Sequence, residues 1–508
     1  MKNTLSLLVV VLVAACGSNG SSIVGASCTK TEECAAGSTC SANKCVALQL
    51  PASDVVPGAA NNTEEQAAQT EQTPAEQPTL EQPPADAPAA PSGGGRPTGT
   101  IQLPPKKPAG TYDLTFGADG VFSYAGQRIV AIASFSNGDF AALTSSNTIL
   151  KVLRTGVLDT SFASSGVLSV AGSKGNIASI AVSADHLYVF SQHQGVNCGA
   201  ANAASLAVFA YDAAGQALSG FGTNGIVYVA IAGGGASRIA QTTGGHVDGN
   251  ALYIAGFTKS DCNGASAFSQ AVVAKLNATT GARDLSFGTA GVAAPIGGTI
   301  GAATHVVPTA SGLLVVGSIT NALTNGTDTF VRRLLATGLV DASFPSIGFH
   351  SATNTTPRAV TLNGDKLAIL SETRAASAAA DVYVAQIDTA SGEYDVSFGD
   401  QGRVLIDRPF SVQATSIVAN AGALYIAVQH GDVLANGSQS SAQLWKLTAA
   451  GALDTSFDAD GIMDVRYGNA SDNSVGGFLL IDSSNRACFA GATAAGFAVT
   501  GKIVRFSL

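Results

Sequence analysis

The sequence predicts an all-β protein: a seven-bladed β-propeller of four-stranded blades, preceded by a signal peptide, a small disulfide module and a disordered linker. Three observations predict it. A pattern of Gly, five residues, Phe, three residues and Gly recurs seven times between residues 110 and 461. All 32 aromatic residues lie at or beyond Tyr112, so the side chains that build cores are confined to the last 397 residues. That region carries no sustained helical period, only short apolar runs bounded by Gly, Asn and Asp.

In chain order, Met1-Lys2-Asn3 gives a short positive start, and Leu5 to Val13 is an apolar run too short to span a bilayer. Residues 1–15 therefore read as a signal peptide. Its end, Val13-Ala14-Ala15-Cys16, resembles the lipobox of bacterial lipoproteins. That resemblance implies a diacylglyceryl group on Cys16, an acylated amino terminus, and 16–21 as a lipidated spacer. Several acyl chains, each burying methylenes at about 0.8 kcal/mol apiece, make a durable membrane anchor. Gly17 stands where an Asp would imply inner-membrane retention, so the resemblance points to the outer membrane or cell surface.

Residues 22–49 hold Cys28, Cys34, Cys40 and Cys45, spaced C-x5-C-x5-C-x4-C. So short a segment cannot build a core without cross-links, and exported cysteines meet an oxidising compartment. Two disulfides are expected, with three connectivities open. A zinc site is disfavoured because CxxC pairs and His ligands are missing. The pattern is similar to the small Dickkopf-like Cys-rich modules of bacterial surface lipoproteins. From 50 to 109 the composition turns to Pro, Ala, Gln, Glu and Thr, with twelve of the chain's seventeen prolines. So few apolar groups cannot offset the entropy of ordering, and a disordered, partly extended spacer is expected.

The body, 110–508, is set by the repeat. Its phenylalanines are Phe116, Phe162, Phe221, Phe287, Phe344, Phe398 and Phe457. Asp stands three residues before Phe in six copies: Asp113, Asp159, Asp284, Asp341, Asp395 and Asp454; the third copy has Leu218. Between copies falls a turn signal, such as Asn137-Gly138 or Asp248-Gly249, followed by a buried strand. A third strand precedes each motif, as in Lys151-Val152-Leu153, and a fourth follows it, as in Val167-Leu168-Ser169. Four strands in about 57 residues per unit fit a propeller blade with room for loops.

The motif Leu-Asp-x-Ser-Phe-Gly-x-x-Gly, closest in 158–162 and 453–457, resembles the delta-60 repeat of bacterial β-propellers. The likeness spans 110–508; the third copy (Leu218) and the fifth (Pro345) are degenerate, so less regular loops are expected there. The motif stands at the start of the body, and the strand that should precede it, Lys502 to Phe506, stands at the end. Strand Val121–Tyr124 is therefore expected to complete the last blade and close the ring.

Chemistry is written more faintly. The repeated Asp reads as a turn cap and the Phe as filler between blades. The six histidines are scattered without HxH or HExxH pairing, and Asp458-Ala459-Asp460 lacks the downstream Glu of a calcium loop. No cofactor or metal is implied. A third disulfide is expected between Cys198 and Cys262, in corresponding loops of adjacent units, with Cys488 a buried free thiol. A charged fraction of 12% and a net charge of −9 exclude a nucleic-acid binder. The expectation is a monomeric envelope lipoprotein that binds or scaffolds a protein or glycan. The alternative is an extracytoplasmic hydrolase or oxidoreductase working at the axis.

Overall fold

The computed structural model describes residues 38–41, 44–47 and 112–508, except 171–176, 194–204, 232–238, 260–268, 298–299, 321–325, 350–353, 375–380, 407–411, 435–436, 466, 468–472, 483 and 496–497. Two compact units, Met1–Ala87 and Pro88–Leu508, are distinguished. In the first, Ser38–Ser41 and Lys44–Ala47 form an antiparallel hairpin that sets the backbone of Cys40 opposite that of Cys45.

The second unit is a seven-bladed propeller of four-stranded antiparallel sheets, six of them with their strands in sequence order from the inside out. Blades 1 to 6 run through 129–169, 177–230, 239–293, 301–349, 354–406 and 412–465. Blade 7 combines Asn473–Ile481, Arg486–Ala495 and Ala498–Ser507 with Val121–Ala125, which pairs Val121 with Val504 and Tyr124 with Gly501. The amino-terminal strand thus completes the carboxy-terminal blade, as the order of motif and strand predicts.

Middle strands are apolar on both faces because both faces pack against neighbouring blades; Ser205–Tyr211 is buried at every position. Seven hydrophobic clusters result, one at each junction. The closing cluster sets Phe116, Phe122, Cys488 and Ile503 of blade 7 against Ile129, Phe140 and Leu150 of blade 1. First strands touch the first strands of both neighbours all the way round, so they wall the axis. Turns between first and second strands fall on the expected Gly, Asn and Asp positions; Ala184 and Asp185 both adopt positive φ there.

The repeated motif is the turn between third and fourth strands. In its six Asp copies, Oδ1 accepts the backbone N–H of the Ser or Thr two residues on at 2.9–3.1 Å, and its hydroxyl at 2.5–2.6 Å. In five copies Oδ2 pairs with a cation on the blade's third strand. These are Asp159–Lys151 at 3.1 Å, Asp284–Lys275 at 2.9 Å, and Asp341–Arg333, Asp454–Lys446 and Asp113–Arg505 at 2.8 Å. The same cations lie 4.6–6.0 Å from the centroid of the motif Phe. Three of them also donate to a carbonyl of the next blade: Lys151 to Ala213, Arg333 to Ala390 and Arg505 to Arg154.

The rings of Phe162, Phe221, Phe287, Phe344 and Phe398 each meet the first Gly of the following motif. A Cβ on Gly215, whose φ is +80°, would sit 2.9 Å from the Phe162 ring, so both the backbone conformation and the space there require glycine. Six of the seven Phe are buried, and Phe457 is half-buried. In the degenerate third copy Ala210 faces Leu218 where other blades set a polar residue against Asp, yet the backbone bond between them persists at 2.9 Å. The cation's reach is supplied by Tyr188 instead, whose hydroxyl donates to Ala278 of the next blade at 2.9 Å. The fifth copy keeps its Asp cap; Pro345, lacking an N–H, cannot make the inter-blade bond that Gly288 gives Thr337.

Candidate functional site on the propeller axis

Every first strand carries a β-bulge at the same height, with Val130, Ala178, Thr243, Thr304, Arg358, Thr415 and the Gly476-Gly477 pair at the irregular position. A bulge bends the strand and re-aims its side chains. Around the first strands of blades 2 to 5 these bulges open a cavity of about 650 Å³ on the axis. Its wall includes Ser179, Thr243, His246, Thr304, His305 and Arg358.

Arg358 is the only basic Lys or Arg on any first strand, and Asp248, at a turn, the only acidic residue. The Arg358 guanidinium donates to Glu372 Oε2 at 2.6 Å, and Glu372 Oε1 accepts the Ala414 amide of blade 6 at 3.0 Å. Glu372 shows 6% of its side chain to solvent and Arg358 44%, so the carboxylate is withdrawn while the cation faces the channel. His305 Nδ1 lies 2.9 Å from Thr304 Oγ1. Desolvation pushes the His305 imidazole down to about 4, against the opposing pull of a hydrogen bond to the Arg358 backbone. His246 is also shifted down by desolvation, partly opposed by Asp248. Both rings are therefore neutral near pH 7, and the formal charge of the wall belongs to the Arg358–Glu372 pair.

The hydroxyls are tied to the scaffold. Thr304 Oγ1 donates to Val316 O at 3.1 Å, and Thr243 Oγ1 donates across the blade junction to Ala303 O. Ser179 Oγ is buried and has no hydrogen-bond partner. Such a wall can orient a polar ligand by hydrogen bonds and hold one anionic group. Among the described residues no group of three or more His, Cys, Asp or Glu is gathered as a metal site.

Of the residues the sequence singles out, the six Asp and seven Phe occupy the turns and not the axis. Cys16, Cys28, Cys34, Cys198 and Cys262 lie outside the described residues, as do His350 and the side chains of His193 and His430. Cys488 is a buried free thiol, raised to about 12 by burial. Asp460 caps the Ile462 amide at 3.0 Å. Arg358, Glu372 and the bulged threonines were not foreseen. Their one available signal was the rarity of charge: a single Arg in seven innermost strands.

No family model and no curated protein matches the chain. Solved structures with a similar course include the β-propeller domain of the Trilobed protease from Pyrococcus furiosus, described as having an open velcro topology. It is 8% identical, with 74% of this chain and 97% of that one covered and a TM-score of 0.37. The acylaminoacyl peptidase of Pyrococcus horikoshii is 10% identical over 74% of this chain and 52% of its own, with a TM-score of 0.37. A mutant Trypanosoma rangeli sialidase with trans-sialidase activity is 14% identical over 77% and 59%, with a TM-score of 0.36. The chain thus spans just over half the length of the last two.

Proposed function

We propose that this chain is a cell-envelope lipoprotein, tethered through acylated Cys16 at the outer membrane or cell surface, whose propeller binds a protein or glycan. The observation that carries the binding reading is the axial cavity, of a size that ligand sites commonly have and walled by hydroxyls, imidazoles and one arginine. Seven interlocked junctions keep that wall rigid, which lowers the ordering cost of binding.

The test is retention of envelope polysaccharides and proteins on the full chain, set beside an Ala178→Trp variant that plugs the cavity. Binding to the open form that drops at least tenfold in the plugged form supports the reading. Equal retention by both would remove the axis as the site. The anchor has its own check: a fatty-acid analogue should label the wild type and not Cys16→Ser.

A further inference from the structure

We propose that the axial cavity recognises a saccharide bearing a single carboxylate, a uronic acid unit, with Arg358 as the partner of that carboxylate. The inference rests on the binding reading above and deepens it. Two blades cooperate to hold this one side chain. Blade 5 supplies Arg358 at a bulge. Its own Glu372, in turn fixed by Ala414 of blade 6, grips one edge of the guanidinium. A guanidinium has five donors in a planar fork, and Glu372 takes one of its outer nitrogens. The remainder meet no protein acceptor among the described residues, and a carboxylate matches that fork in a way a lone hydroxyl cannot.

The rest of the wall selects the body of the ligand. Thr243 has committed its proton to a carbonyl, so its oxygen accepts a hydrogen bond from a visitor. Val306, Val307 and Val360 supply apolar patches between these groups. Hydroxyls interleaved with C–H faces, plus one anionic group, describe a sugar acid. A polyanion fits poorly: the wall offers a single cation, already paired, in a chain of net charge −9.

Calorimetric titration of the full chain decides it, using a glucuronate-ended oligosaccharide, the same oligosaccharide with its carboxyl reduced, and a short peptide with a free carboxy terminus. The uronate should bind at least tenfold more tightly than its reduced counterpart and than the peptide. The double variant Arg358→Gln/Glu372→Gln removes the cation without stranding a buried charge, and should erase that preference. Arg358→Lys, which keeps the charge and the Glu372 pair, should cut the preference to a few-fold and guards against a double variant that fails to fold. Equal binding of uronate and reduced sugar, a preference that survives the double variant, or tighter binding of the peptide would each overturn the proposal. If none of the three binds while the open channel still retains an envelope component and the plugged one does not, the sugar-acid assignment falls and the binding reading stands.

Discussion

At the scale of the residue, the motif Asp is a capping and pairing group whose ionised form the fold favours. The Ser286 hydroxyl and then Lys275 hold Asp284 down to about 2, and Lys446 with Ser456 does the same for Asp454. Asp113, Asp159 and Asp341 are lowered by the same kind of partners, the neighbouring Thr or Ser hydroxyl foremost. A carboxyl lowered by folding contributes stability that is fully present above its unfolded value near 3.9 and is lost as pH falls through the folded one. The thermal midpoint should therefore drop between about pH 4 and pH 2. In Asp284→Asn, which removes one of seven Asp carboxyls so lowered among the described residues, Asp185 and Asp388 being the two outside the motif, the drop should be smaller; an unchanged slope in thermal scans would contradict the assignment. Tyr188 offers a second test. Tyr188→Phe strips the Ala278 carbonyl of its partner at the junction of blades 2 and 3, at a cost of about 1–2 kcal/mol in denaturant titration. The same change at Tyr253, beside Lys275, should cost less.

At the scale of the element, the blade was legible because its turn is written in residue types. Gly is demanded by positive φ and by the Phe packed beneath it, Asp by two hydrogen bonds it accepts, and Phe by the space between sheets. Those demands recur seven times at one spacing, so they showed through. The cation that completes five of the turns did not, although Lys151, Arg333 and Lys446 each stand eight residues before their Asp. It sits on a strand amid apolar neighbours, where a lone basic residue reads as an outward-facing position. The axial bulges were invisible for a firmer reason. A bulge is a property of two strands in register, and the cavity adds four blades whose innermost residues are far apart in sequence. Phe398 tests the packing claim: fully buried between blades 5 and 6, its replacement by Ala should cost about 3–5 kcal/mol. A loss under 1 kcal/mol in equilibrium unfolding would mean that the ring is not filling the junction.

At the scale of the whole molecule, the ring is closed by a strand from its other end. Removing residues 110–125 takes away Phe116 and Phe122, buried at 0% and 5% exposure, together with the Asp113 partner of Arg505. The two rings alone amount to roughly 6–10 kcal/mol, and the calorimetric transition should fall and broaden; a midpoint near that of the intact chain would argue against closure. The arrangement also imposes an order of events. Asp113 and Arg505 are 392 residues apart, so the first strand of the body to leave the ribosome has no native partner until the last one emerges. Contacts of such range slow folding. Through that wait Val121–Ala125 presents a free backbone edge, open to exchange with the unfinished blade of a neighbouring copy. Crowded synthesis should then yield interlocked pairs that dilution alone does not part, a hazard built into sewing a circle shut with its own first stitch.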